Sequence, residues 1–216
     1  MRIFQPDRYL LSAFVAAHAE ELQGDLLDIG GQNGERYRGF FAHVRSYRVL
    51  DPDERCKPDI VASAERIPLE DVSVDAILFM ETVMYIPDLA AAIREIARIL
   101  KPGGRLLASS SFLSVLCHEP HDYWRLTPFS LRVLLEPYFD DIRIERRGGY
   151  RSQKIQYWIR FLIERYGLYD RPFFGRMVSL LSTVRGRMAI SRDARDSSKT
   201  NAKFGMGFNL LAKRRS

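Results

Sequence analysis

Residues 116–128 read LCHEPHDYWRLTP, which gathers His118, His121, Asp122, Tyr123 and Arg125 into one short segment. An imidazole titrates near neutrality and can abstract or relay a proton. A guanidinium can clamp a carboxylate or phosphate through two parallel hydrogen bonds. A second segment, LLDIGGQNGERY from Leu26, runs an apolar stretch into Asp28 and then into Gly30, Gly31 and Gly34. Glycine lets the backbone turn sharply and lets a ligand approach with no Cβ in the way. The GxGxxG spacing that seats a dinucleotide pyrophosphate on a helix N-terminus is missing, which argues against a nicotinamide oxidoreductase.

Something must hold these segments at one place. Short apolar runs at 25–29, 47–50, 59–62, 74–80, 104–112 and 141–145 read as strands, and 204–214 as a last one. Between them lie helical patterns: residues 88–100, with Leu89, Ile93, Ile96 and Leu100 on one face, and TPFSLRVLLEPYF, with Thr127 as N-cap and Pro128 in the first turn. The glycine loop is expected to open a helix over GERYRGFFAHV. Strand, helix, strand in repetition implies an α/β, Rossmann-like, doubly wound and mostly parallel seven-stranded sheet. Its ligand belongs at the carboxyl ends of the strands, where strand order reverses.

The chain has 216 residues, apolar content of 46% and aromatic content of 12%, enough for one folded domain over 1–216 with an N-terminal helix over 1–23. Cys56 and Cys117 have no metal or disulfide spacing, so no metal site is expected and a reducing cytoplasm fits. The first residues show no cleavage pattern, and no apolar run reaches the length that spans a bilayer. Charge is uneven: residues 1–142 hold 15 Lys/Arg against 22 Asp/Glu, residues 143–216 hold 18 against 5. Such an excess is either solvated surface or the footprint of an anionic partner.

Near Gly148 the rhythm changes to an inserted helical pair over 150–203, before the last strand. Its first helix places Ile155, Trp158, Ile159, Leu162 and Tyr166 on one face, its second Met177, Leu181, Val184 and Met188. The polar stretch 191–203 reads as a mobile loop. The pair is either a lid burying its apolar stripe or an interfacial pair over 154–190. In the second case Trp158, Phe161, Phe173 and Phe174 enter an anionic membrane face, peripheral to the cytoplasm.

LLDIGGQNG resembles the first motif of class I S-adenosylmethionine-dependent methyltransferases. Asp51 in YRVLDPDE lies about twenty residues beyond the glycines, the spacing of an acid that receives ribose hydroxyls. Residues 63–88 resemble the family's stretch from adenine pocket through fourth strand, and ILKPGGRLL (99–107) its turn into the fifth. The resemblance implies S-adenosylmethionine as cofactor. Asp28, Gly30, Gly31 and Gly34 then shape the turn under its methionine moiety, Asp51 holds both ribose hydroxyls, Ser63 and Ala64 face the adenine edge, and Met80 and Glu81 lie beside the sulfonium. Gln32 replaces the middle glycine and Ser63 an acid that often reads adenine, which keeps a non-catalytic cofactor-binding scaffold in view.

Methyl transfer is an in-line displacement that needs alignment and, for an alcohol, a base. That base belongs just past the fifth strand, where 116–128 falls. His121 is the expected general base, Arg125 the acceptor's anchor and Asp122 the residue orienting one of them. His118, Tyr85 and Tyr123 are expected around the acceptor, with His118 as the alternative base. His18 and His43 are assigned to helix surfaces, and Tyr9 to packing or to closure over the cofactor. PHDYWRLTP also resembles segments of methyltransferase-domain proteins from bacterial polysaccharide and glycolipid pathways. The expected acceptor is therefore a hydroxyl of a small molecule, sugar or lipid-linked glycan. An RNA methyltransferase is the rival reading, favoured by the basic segment and disfavoured by the lack of interleaved aromatic and basic residues.

Overall fold

The computed structural model describes residues 3–216. Strands β1 (Asp25–Ile29), β2 (Ser46–Asp51), β3 (Ile60–Val61), β4 (Val74–Met80), β5 (Leu100–Ser111), β6 (Phe139–Arg147) and β7 (Gly207–Arg214) bond in the order β3-β2-β1-β4-β5-β7-β6. β1, β2, β3, β4 and β5 are parallel, with Leu26 opposite Ala76 and Asp28 opposite Leu78 at the centre. β7 runs against its neighbours: Phe112 N–H reaches Met206 O and Met206 N–H reaches Arg147 O at one end, Arg215 N–H reaches Tyr138 O at the other. The sheet is the mostly parallel, seven-stranded one expected, and strand order reverses between β1 and β4.

Leu26, Leu27 and Ile29 of β1 and Ala76, Ile77, Leu78 and Phe79 of β4 are buried on both pleat faces, which is why these strands read as unbroken apolar runs. α2 (Leu89–Ile99) starts where the Asp88 carboxylate accepts Ala91 N–H at 2.9 Å, and it buries Leu89, Ile93 and Ile96. α3 (Pro128–Leu135) has a reciprocal cap: Thr127 Oγ1 accepts Ser130 N–H and Ser130 Oγ accepts Thr127 N–H. Lys101–Gly104 bulge out of β5, because Val74 faces Leu100 whereas Ala76 faces Arg105.

Three expectations fail. No α-helix follows the glycine turn; only a 3-10 turn forms at Arg38–Phe40. Gly34 has φ +73°, and Gly39 follows before a second turn could close, so the segment lacks the run of bonds that makes a helix propagate. His43 accordingly lies in a turn, its Nε2 3.0 Å from Leu22 O. His18 does end a helix, α1 (Pro6–His18), with Nδ1 2.8 Å from Glu21.

The second is the lid alternative for the helical pair, α4 (Tyr150–Tyr166) and α5 (Pro172–Arg195), whose apolar stripes were to be buried. α4 buries Ile159 and Ile163, with Ile155 and Leu162 beside them, whereas Trp158 and Tyr166 are exposed. α5 turns inward a row of mostly small residues, Gly175, Val178, Ser182, Gly186 and Ala189, and leaves Met177, Leu181, Val184 and Met188 in solvent. The reason is close approach to the N-terminal strand of chain: a Cβ on Gly186 would stand 2.6 Å from the Phe4 ring, and Ser182 Oγ donates to Phe4 O. Tyr9 belongs to the same packing, with its ring 5.7 Å from that of Phe4 and under the Arg187 guanidinium.

The third is 191–203, which is ordered rather than a loose loop. α5 continues to Arg195 and α6 (Lys199–Ala202) follows. Gly149 offers α4 no capping side chain, so buried Asp193 takes the Ser152 N–H at 2.7 Å and Asn201 Oδ1 takes Tyr150 N–H at 2.9 Å.

The chain divides into two compact units. One contains the chain up to Ala13, Phe112–Val115 and Arg146–Gly207, hence the helical pair; the other contains Phe14–Ser111, Leu116–Glu145 and Phe208–Ser216, hence every strand end described next.

Candidate active site

At the end of β1 the chain is drawn tight against β4. Gly30 has φ +75°, and a Cβ there would stand 2.3 Å from Thr82 Oγ1; one on Gly31 would stand 2.2 Å from the Asp28 carboxylate. The space that glycine frees here is filled by the protein's own Thr82 and Asp28. Thr82 Oγ1 in turn lies 3.2 Å from the carbonyls of Ile29 and Met80, closing the β1 and β4 ends together. Asp28 is buried, accepts the Tyr47 hydroxyl at 2.5 Å, and burial pushes its carboxyl up to about 7 against the opposing pull of that hydrogen bond. Burial likewise raises the Tyr47 phenol.

Gln32 takes a left-handed backbone, φ +55°, as the glycine it replaces would, and is exposed. Its N–H donates to Asp51 Oδ2 at 3.0 Å, while Asp53 N–H donates to Oδ1 at 2.9 Å. Asp51 is thus buried and fixed at the tip of β2. A carboxylate offers about four lone-pair sites, so each oxygen keeps one acceptor position, the number a ribose diol requires. Gly34 is buried beneath, where a Cβ would meet Val49 at 2.8 Å.

Beyond β3, Ala64 is buried and the Ser63 hydroxyl donates to Glu65 Oε2 at 2.9 Å. Glu65 Oε1 accepts Asp88 N–H, so this acid ties the loop to the start of α2. At the tip of β4, Met80 is buried and Glu81 takes φ +54°. Its carboxylate accepts Ser109 Oγ at 2.9 Å and Ser111 Oγ at 2.7 Å, and its N–H donates to Ser109 Oγ.

Past β5, the 116–128 segment is pinned to the turn after β4 by two bonds of 2.8 Å, Tyr123 N–H to Met84 O and Trp124 Nε1–H to Ile86 O. Trp124 remains 39% exposed. Asp122 and Arg125 form a bidentate pair at 2.5 and 2.6 Å, and Asp122 Oδ2 also accepts Cys117 N–H. The guanidinium holds the Asp122 carboxyl below its ordinary range. Asp122 therefore orients Arg125 and not His121. Both histidines of the segment are exposed: His118 packs edge-on against Tyr85, centroids 4.9 Å apart, and His121 has Nδ1 2.9 Å from the Tyr123 hydroxyl. The Tyr85 phenol is raised by burial and then by its contact with Cys117, with Glu81 and Asp122 near enough to add to the effect.

Five residues of this arrangement, Tyr47, Glu65, Thr82, Ser109 and Ser111, escape sequence reasoning. Only the serines leave a signal, as hydroxyls at the end of an otherwise apolar strand.

Residues 27–108 match the methyltransferase-domain family. An uncharacterized methyltransferase of Mycobacterium bovis is 51% identical over 61 residues, 27% of this chain and 25% of that protein, so the shared stretch spans about a quarter of the curated relative's length. Among solved structures, the cyclase SpnF superposes with a TM-score of 0.62 at 20% identity, covering 95% of this chain and 79% of that one. Phosphoethanolamine N-methyltransferase 2 of Haemonchus contortus, solved with S-adenosylhomocysteine, gives 0.60 at 17% identity over 96% of this chain and 52% of that one. Residues 27–108 thus match a methyltransferase domain, and the chain shares its fold with these solved structures.

Proposed function

We propose that this chain moves the methyl group of S-adenosylmethionine to a hydroxyl of a small acceptor, a sugar or lipid-linked glycan. The observation that carries the reading is the pair of acceptor positions left on Asp51 at the tip of β2, beside the glycine turn. Bound there, the cofactor supplies an activated methyl on a sulfonium. Asp51 accepts the ribose hydroxyls, Ala64 and Ser63 border the adenine, and the Gly30–Gly31 turn with Asp28 lies under the cationic methionine end. Met80 and Glu81 border the reacting methyl.

The acceptor's proton needs a base on the far side, and of His121 and His118 we favour His118 for its contact with Tyr85. His118 lies against Tyr85, on the turn that follows Glu81, and His121 lies against the Tyr123 hydroxyl. Arg125, held in place by Asp122, is the acceptor's anchor in this reading. The likeness to a cyclase keeps a second reading alive, that of a cofactor-binding chain without methyl transfer, since fold alone does not fix function.

Calorimetry with S-adenosylmethionine and tritiated-methyl transfer to a panel of sugars and glycolipids separate these readings. Cofactor binding without transfer to any hydroxyl would favour the second. A general base contributes about 10²–10⁴ in rate, so His118→Ala should lower kcat by that order with cofactor Kd unchanged, and His121→Ala by less than about tenfold. The opposite ranking would return the base to His121.

A further inference from the structure

Helix α5 is built the reverse way from a helix that folds onto a core from water. Its buried face carries mostly small and polar residues, Gly175, Ser182, Gly186 and Ala189 among them, while the large apolar side chains stand outside. Phe173 is 75% exposed, Leu180 69% and Val184 54%. Met177, Leu181 and Met188 are exposed with them. At 3.6 residues per turn these six side chains form one strip along about 22 Å of helix. Contiguous exposed apolar surface of this kind marks an interaction site.

The charges around the strip identify what covers it. On the same helical wheel Arg176 and Arg187 border one edge and Arg185 and Arg192 the other. All four are exposed, and no Asp or Glu occurs from Pro172 to Arg192. Among the described residues no helix is long and apolar enough to cross a membrane. An amphipathic helix with an apolar strip between rows of arginine matches a bilayer boundary, where acyl chains meet phosphate headgroups. A second copy of this chain matches poorly, because it would bring arginine rows against arginine rows in a contact shielded from water.

We infer that α5 docks this chain in the plane of a phospholipid bilayer that carries anionic headgroups. The strip enters the acyl boundary and the four arginines meet phosphate on either side. This stands on α5 alone and is independent of the acceptor proposed above.

Co-sedimentation of the full chain with phosphatidylcholine vesicles, with and without phosphatidylglycerol, tests it. Binding should require phosphatidylglycerol and weaken with salt. Each basic side chain near such a surface is worth about a fivefold factor in partitioning, so Arg176→Gln with Arg185→Gln should weaken binding roughly 25-fold. Phe173→Ser with Leu180→Ser should abolish it. The matched pair Phe129→Ser with Val133→Ser, on the exposed face of α3, should leave it unchanged. Failure to bind, equal binding to neutral vesicles, or indifference to the α5 substitutions would overturn the inference. So would light scattering that shows a dimer which Leu180→Ser dissociates, since the strip would then belong to a second copy.

Discussion

Asp28 is the residue whose environment makes the sharpest demand, and Asp28→Asn isolates it. Burial moves its carboxyl from the ordinary 3.8 to about 7 in the folded chain. Each tenfold change in proton affinity is worth 1.36 kcal/mol, so ionising Asp28 costs the fold about 4 kcal/mol. Between those two values the folded chain holds a proton that the unfolded chain releases, and stability therefore falls as pH rises through the window and levels off above it. Asparagine has the same volume, cannot titrate, and its carbonyl can still accept the Tyr47 hydroxyl. Any cost of placing its NH2 group is the same at every pH, so the slope and not the offset is the readout. Urea unfolding followed by circular dichroism from pH 4.5 to 8.5 should show the wild type losing about 3 kcal/mol relative to the variant, the rest of the change lying below about pH 4.5. Tyr47→Phe removes the bond that holds the carboxyl down and should push the fall to higher pH. Parallel curves for wild type and Asp28→Asn would refute the reasoning, because Asp28 would then be ionised throughout.

Asp51→Ala should weaken S-adenosylmethionine binding by about 100-fold, the loss of charge-assisted hydrogen bonds to two hydroxyls, with Asp51→Asn between the two by calorimetry. Gly30→Ala forces a left-handed backbone on alanine and drives its Cβ into Thr82, so it should destabilise by about 2–3 kcal/mol in urea. Adding Thr82→Gly should recover the steric share and leave the backbone share; strict additivity of the two changes would show that they do not meet.

The sheet was legible because β1, β4 and the first part of β7 are buried on both faces and have to be apolar throughout. α2 and α3 were legible because Asp88 and Thr127 cap them locally. Failures came where the deciding contact is distant in sequence. Nothing in the 172–195 segment says that Phe4 will lie against it, so the periodicity of large residues could not tell whether their face is buried or exposed. The Gly30 requirement likewise depends on Thr82, more than fifty positions away and adjacent only because β1 pairs with β4. For the site, residue type singled out the segments, but not the neighbours of each histidine: Tyr85, which packs against His118, comes from another strand end.

The missing helix after β1 bears on what the turn can recognise. In dinucleotide sites a helix N-terminus faces the ligand and its dipole favours negative charge. Here the corresponding residues make only a 3-10 turn, and the Gln32 N–H is committed to Asp51. Around the same turn stand three carboxylates: Asp28 near the end of β1, Asp51 at the tip of β2 and Glu81 just past β4. A pyrophosphate would meet that charge with no helix dipole to offset it. A sulfonium beside a protonated amine meets it favourably, and each such cation would draw Asp28 back toward its ionised form. The departures from a dinucleotide loop, read in the sequence as a spacing that does not match, are in the structure a change in the sign of the ligand that the site can hold.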